Sequence, residues 1–334
     1  MQAVVLHQLG QAPRFGAFRD PDLRAGEILV CASAAVVRPS DLAIARGCHA
    51  HMPRELPYIC GRDGVGWLAD VPHTGRQHVR QGGQRVYFRA ARSPFGSMAE
   101  YVPAEWVVPV PDGVDSAMAA ALVGPAMTAW LPLAMRADLY PGETVLVLGA
   151  SGLVGRLAVQ AARLQGAGRV IAAGHRIDML TALGADALID LAQPPSVLQH
   201  TFATYADDGI DVVVDLVWGK TLELLLSALI QTDGIPMYGN DRGVRIVSVV
   251  DRSAGSLIMA PTALRDSRVT LIGCGPANHP PADDLMLLVE EILGCMRDGE
   301  LAVDTEQMAM ADVESAWGLA QAPERRVVLT LGAP

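Results

Sequence analysis

The sequence predicts an α/β chain in two parts, a β-rich domain and a doubly wound parallel sheet. Three observations carry that expectation: short β-type runs broken by turn residues over the first hundred positions, alternating strand and helix patterns from Thr144 onward, and a glycine-rich turn opening that alternation. Length agrees, because 334 residues exceed the roughly 250–300 at which one core stops growing.

In the first part, residues 3–6, 27–34, 64–71, 85–88 and 105–109 read as short β-type runs that alternate with turn punctuation. Between Asp115 and Arg136 no charged residue occurs, a stretch about as long as a membrane-spanning helix. Gly124, Pro125, Thr128 and Pro132 interrupt it, which predicts two buried helical pieces where the domains meet and no membrane partner. The pattern then reads strand 144–148, helix 154–165, strand 169–173, helix 177–183, strands 187–190 and 211–216, helix 221–229 and strand 235–238. Strands separated by helices of this length specify parallel βαβ units. Residues 268–273 read as a last strand, followed by an amphipathic helix over 285–297 and a closing strand over 326–331.

The formal charge of -10 and the lack of any Lys/Arg-rich run exclude a phosphate-backbone face, so nucleic acid is not an expected partner. Lys220 is the single lysine among 26 basic residues, so arginine is the default cation throughout. Five cysteines, widely spaced and without C-x-x-C, signal neither a disulfide framework nor a zinc lobe and fit a reducing cytoplasm. The first ten residues lack the basic and apolar regions of a signal peptide.

The decisive segment is Gly149-Ala150-Ser151-Gly152-Leu153-Val154-Gly155, between a strand and a helix. Its first glycine permits the tight turn, its second lets the backbone approach a pyrophosphate, and its third lets helix and strand pack closely. The free N–H groups and the positive helix end then face the phosphates. An NAD site usually carries an acid about 20 residues further on for the ribose 2′-hydroxyl. Here Gly174-His175-Arg176 stands at that strand end, with no acid before Asp178, which favours NADPH through Arg176 and the 2′-phosphate. Thr128, and Leu216 and Gly239 at later strand ends, complete the candidate cofactor set.

From end to end the chain resembles the medium-chain dehydrogenase/reductase superfamily, in its zinc-less quinone oxidoreductase branch. Pro39-Ser40-Asp41, then Arg46-Gly47, is similar to that family's N-P-x-D…R-x-G segment, and Gly61-Arg62-Asp63-Gly64-Val65-Gly66 to its G-x-D/E-x-x-G turn. Arg85-Val86, Ala99-Glu100-Tyr101, Thr128-Ala129, Gly142-Glu143-Thr144-Val145 and Gly184-Ala185-Asp186 match further landmarks. The resemblance implies a GroES-like catalytic domain with an inserted Rossmann domain, divided as 1–123, 124–275 and 276–334, a substrate cleft between the domains and a homodimer. Residues 268–273, whose segment Val269-Thr270-Leu271-Ile272 is apolar and β-branched and carries no charge or proline, are the expected dimer edge unless the helix over 285–297 covers them.

Zinc-dependent relatives hold their metal at positions that align with Arg38, Arg62 and Gly124. None of these supplies a sulfur, imidazole or carboxylate ligand, so no metal is expected. Cys48, His49, His51 and Cys60 form a rival constellation whose spacing fits no recurrent zinc site. Without zinc, a carbonyl oxygen gaining charge needs hydrogen-bond donors or a fixed cation. The candidates are Arg38, Ser40, Arg62 and Tyr58, and three of them have a structural alternative: Ser40 as a turn or cap residue, Arg62 paired with a neighbouring carboxylate, Tyr58 in the core. Asp41 reads as a structural hydrogen-bonder. The expected activity is NADPH-dependent reduction of a small-molecule quinone or α,β-unsaturated carbonyl. A zinc-free dehydrogenase or reductase of another carbonyl, imine or specialised metabolite, and a non-catalytic NADPH-binding sensor, remain as alternatives.

Overall fold

The computed structural model describes residues 1–49, 52–69, 83–231, 242–249, 255–259, 261–265, 267–322 and 325–331. In chain order its strands and helices are β1 (Gln2–Leu6), β2 (Arg14–Ala17), β3 (Ile28–Val36), α1 (Pro39–Ala45), β4 (Tyr58–Ile59), β5 (Asp63–Leu68), β6 (Arg85–Ala90), β7 (Tyr101–Pro109) and α2 (Ser116–Leu131). There follow β8 (Thr144–Leu148), α3 (Leu153–Leu164), β9 (Arg169–Gly174), α4 (Ile177–Thr181), β10 (Ala187–Asp190), α5 (Pro195–Asp208), β11 (Val212–Asp215) and α6 (Gly219–Gln231). The remainder is β12 (Val244–Ser248), α7 (Thr262–Arg265), β13 (Val269–Gly273), α8 (Ala282–Arg297), β14 (Glu306–Ala309), α9 (Val313–Leu319) and β15 (Val327–Thr330).

The chain divides into two compact units, Met1–Gly124 with Pro281–Pro334, and Pro125–Pro280. In the first, a sheet of order β14-β15-β3-β5-β6-β7 turns back so that β7 also pairs with β3, closing β3, β5, β6 and β7 on themselves. Alternation along these strands sends Val30, Val86, Phe88, Val102 and Ala104 into one core, while Leu42, Tyr58, Met98, Trp317 and Val327 form a second beneath α1 and α9. A smaller sheet, β2-β1-β4, carries Tyr58.

In the second unit the order β10-β9-β8-β11-β12-β13 is parallel throughout. It is doubly wound, reversing direction between β8 and β11, where such sheets bind nucleotides. Val145–Leu148 and Val212–Asp215 are buried on both faces, as a sheet covered on both sides requires. Helix α3 turns Leu157, Ala158, Ala161 and Ala162 onto it. Three elements absent from the sequence reading, α5, β12 and the short α7, complete this unit. The expected strand 235–238 lies outside the described residues.

The uncharged stretch corrects an expectation. Pro125 does not break it: α2 runs through Pro125 to Leu131, and the change comes at Pro132, where a π-helical turn, Pro132–Ala137, continues the helix. The ladder bond that Pro125 lacks is tolerated because Leu122, Val123, Ala126, Ala129 and Trp130 are buried around it. Together they make a 22-residue helix apolar enough to cross a membrane, but 61% of its most apolar window is buried inside the protein.

Candidate functional site

In the parallel-sheet unit, the glycine turn leaves β8 with Gly149 at φ +92°, a conformation that disfavours any side chain. The Gly149 and Ala150 N–H groups donate to Ala173 O at 2.9 and 2.8 Å, fixing the turn to the end of β9. A side chain at Gly155 would run into Gly149 O and stand 2.6 Å from Ala150 Cα, so glycine is what lets α3 start this close to the strand. Gly152 caps α3 without a side-chain acceptor, and above it there is open space, with Gly149 O 3.6 Å from where a Cβ would be. The first N–H groups of α3, including those of Leu153 and Val154, have no intrahelical acceptor. The result is a concave cradle of backbone donors at the positive end of a helix, suited to a pyrophosphate.

The end of β9 lies against this cradle. A Cβ on Gly174 would stand 2.9 Å from Ser151 Oγ, so the two backbones touch. His175 and Arg176 are exposed, and Arg176 Nη2 reaches Ser151 O at 3.5 Å. On the neighbouring strand, the Asp190 carboxylate is committed to its own turn, accepting from Ala192 N–H and Gln193 Nε2 at 2.9 Å each. Those bonds hold its pKa below the ordinary value. Leu216 and Val217 press on Gly149 from the other side, 3.1 Å from the place of its absent Cβ. Thr128 is half-buried on α2, and Gly239 lies outside the described residues.

Sequence reasoning missed the corner after β11. Asp215 is fully buried; its Oδ1 accepts the N–H groups of Val217 (3.1 Å) and Trp218 (2.9 Å), and its Oδ2 accepts the Ser248 hydroxyl (3.1 Å). Burial raises the carboxyl's pKa, against these bonds. They hold Trp218 at φ +55°, a conformation bulky residues rarely adopt. Trp218 and Ser248 then line a cavity of about 450 Å³ with Val249, Leu271, Ile272 and Asn278. An acid closing the apolar run Val212–Val214 was the one local signal, and by itself it marks no more than a strand end.

In the β-rich unit, Arg38 caps α1. Its N–H donates to Asp41 Oδ2 at 2.8 Å, its Nη1 donates to Asp63 Oδ2 at 2.7 Å, and its Nε lies 3.7 Å from Asp41 Oδ2. Burial opposes the Arg38 charge, but Asp63 and Asp41 more than compensate and its pKa is raised. Arg38 Nε and Asp63 Oδ1 are buried without a hydrogen-bond partner. Gly124 approaches the same pair, the place of its Cβ being 4.0 Å from Asp63 Oδ2. Tyr58 is buried, and burial, Cys60 and Asp41 hold its phenol protonated; Tyr87 is likewise raised by burial and then by Asp63.

The neighbouring carboxylate, Asp63, is taken by Arg38. Arg62 itself is exposed and has no acceptor among the described residues. Ser40, second in α1 after Pro39, is half-buried. In the rival metal constellation, Cys60 is buried, Cys48 is exposed with its Sγ 3.4 Å from Ala43 O, and His51 lies outside the described residues. Among the described residues no three His, Cys, Asp or Glu side chains converge to hold an ion.

Comparison with known proteins agrees with this architecture. Residues 24–112 match the alcohol dehydrogenase GroES-like domain. The chain is 31% identical over 207 residues to a chloroplastic quinone-oxidoreductase homolog of Spinacia oleracea, covering 57% of this chain and 62% of that protein. It is 31% identical over 209 residues to 2-methylene-furan-3-one reductase of Solanum lycopersicum, covering 59% and 51%. The matched regions thus span little more than half the length of these curated relatives. The quinone oxidoreductase of Thermus thermophilus, solved also as its complex with NADPH, superposes over 99% of this chain and 100% of that one, with a TM-score of 0.71 and 26% identity. With a GroES-like β domain, a doubly wound dinucleotide sheet and these relatives together, the chain belongs to the medium-chain dehydrogenase/reductase superfamily, in its quinone-oxidoreductase-like branch.

Proposed function

We propose that this chain is a zinc-independent, NADPH-dependent oxidoreductase that reduces a quinone or an α,β-unsaturated carbonyl compound. The observation that carries the reading is the junction of Ser151, Gly174 and Arg176, where the dinucleotide cradle meets a cation and the nearest strand-end acid, Asp190, is already engaged. In this reading the backbone of Gly149–Gly155 holds the pyrophosphate, and Ser151, His175 and Arg176 receive the 2′-phosphate. A ribose diol would leave Arg176 without an anion, whereas a 2′-phosphate gives its guanidinium a charge-assisted partner. Bound NADPH supplies the hydride, and a proton completes the reduction of the acceptor.

The β-rich unit supports a mechanism without zinc. The Arg38 guanidinium, held between Asp63 and Asp41, already puts a fixed positive charge among the positions that align with the metal ligands. A divalent ion there would meet a cation and no thiolate or imidazole. Ser40, next to this pair in sequence, is the hydroxyl assigned to polarise the substrate carbonyl. An acceptor whose developing charge is delocalised, such as a quinone or enone, needs the least such help, and the spinach and tomato relatives bear names of that chemistry. Five free cysteines fit a reducing, cytoplasmic setting.

The test is a titration with NADPH and NADH followed by turnover on quinones, enones and simple ketones, with and without a chelator. Tighter binding of NADPH and chelator-resistant reduction of quinones or enones is the expected result. Preference for NADH, or activity lost to the chelator and restored by Zn²⁺, would overturn it.

A further inference from the structure

We propose that Arg62 is the docking point for a carboxylate on the substrate, so that the compound reduced is an unsaturated carbonyl carrying a carboxylate rather than a neutral quinone or enone. This rests on the reductase reading above and narrows its substrate class.

The inference starts from an uneven distribution of charge. Two guanidinium groups, Arg38 and Arg62, share one corner of the β-rich unit with two buried carboxylates, Asp41 and Asp63. Both carboxylates belong by contact to Arg38. Glu105, the next acid within electrostatic reach of Arg62, pairs with Arg89 at 3.5 Å. Arg62 is left facing solvent with no acceptor among the described residues. The surrounding protein and the like charge of Arg38 push its pKa down, against the smaller pull of Asp63, Tyr87 and Glu105.

Its origin is fixed, because Arg62 O accepts the Ala90 N–H at 2.8 Å and β5 pairs with β6 from the next residue on. A guanidinium launched from a rigid strand end presents a planar fork that a carboxylate fills with two parallel hydrogen bonds. Such a ligand also offsets the repulsion between Arg62 and Arg38. A dianionic phosphate suits the place less well, since Asp63 and Asp41 lie close by and repel the second charge more than they repel a single one.

A matched pair of substrates tests this: 4-oxopent-2-enoate and its methyl ester, which present the same enone with and without the anion. The wild-type protein should favour the acid over the ester in kcat/KM. Because hydrogen bonds to charged groups are strong, Arg62→Gln should cut that ratio by about tenfold or more, mainly through the KM of the acid. Arg62→Lys, which keeps the charge but not the fork, should fall between the two. Equal use of acid and ester by the wild type, or an equal loss on both in Arg62→Gln, overturns the carboxylate assignment and leaves the reductase reading standing. If no enone or quinone oxidises NADPH, the reductase reading fails by itself. Calorimetry of the acid with the NADPH-mixed protein then decides the docking site: saturable binding lost in Arg62→Gln and partly kept in Arg62→Lys supports it, and no binding, or binding equal in all three proteins, overturns it.

Discussion

Cofactor preference turns on one exposed guanidinium. Among the described residues the Arg176 side chain makes a single long hydrogen bond, to Ser151 O, so truncating it takes away little structure. Arg176→Ala should therefore weaken NADPH by about tenfold or more, the worth of a charge-assisted contact, while leaving NADH nearly unchanged; equal weakening in a fluorescence titration would reject the 2′-phosphate assignment. Asp215 is the opposite case, a buried carboxyl whose contribution is to the fold. Its folded pKa is raised by burial, so the native state binds its proton more tightly than the unfolded chain does. Its contribution to stability is then greatest below the unfolded value of about 3.9 and declines as pH rises through the raised folded value. Asp215→Asn should remove that slope, so that urea midpoints of mutant and parent differ in their pH dependence from pH 3.5 upward; parallel curves would mean that the carboxyl is not shifted. Arg176 was legible in the sequence because a strand, a glycine turn and a fixed spacing locate it. Asp215 was not, because its importance comes from accepting two N–H groups and a hydroxyl from Ser248, which is remote in sequence and contributed by β12.

Elements were legible where local pattern and tertiary role agreed. β8 and β10 stand at the expected bounds, since a short apolar run before a turn has only one way to be buried in a parallel sheet. Helix α5 escaped because its apolar face is sparse, Leu198, Phe202 and Ala206 at every fourth position. Between them lie Thr201 and Thr204, poor helix formers in isolation, whose hydroxyls bond back to Val197 O and His200 O. Strand β12 escaped for another reason: its second residue is Arg245, which argues against a covered strand unless a partner comes from elsewhere. That partner is Glu143, just ahead of β8, with Ala137 O accepting a second bond from Arg245 Nη1 at 2.7 Å. Both side chains are more than nine-tenths buried. Arg245→Met would leave the buried Glu143 carboxylate without its guanidinium, though still bonded to the Tyr140 N–H, and breaking a buried pair costs about 3–5 kcal/mol. Chemical denaturation should show a loss of that size, and replacing both residues by apolar ones should recover much of it. A loss under about 1 kcal/mol for the single change would mean that water reaches Glu143.

For the whole molecule, the open question the sheet poses is what covers its last strand. Among the described residues β13 is an edge of the parallel sheet, hydrogen-bonded to β12 on one side. Its sequence, Val-Thr-Leu-Ile-Gly, has no charge, proline or other feature that blunts an edge. Thr270 is exposed, and Leu271 and Ile272 are half-buried. Helix α8, the cover considered from sequence, packs on β7 within the β-rich unit. The opposite edge, β10, is only four residues long and ends at Asp190, whose carboxylate turns the chain away. An apolar edge of this kind is satisfied when a second copy pairs with it antiparallel across a two-fold axis, which closes the assembly and leaves no further edge exposed. We therefore expect a homodimer joined through β13. Sedimentation equilibrium at micromolar concentration should give twice the mass of one chain. Thr270→Lys places a charge on the strand where it must face its own copy, or lie one pair away from it, across the axis, a repulsion that cross-strand pairs do not tolerate. Because Thr270 is exposed, the substitution should leave the folded monomer and its NADPH affinity intact while shifting the mass toward one chain. A parent protein that sediments as a monomer refutes the dimer, and a dimer unaffected by Thr270→Lys puts its interface somewhere other than β13.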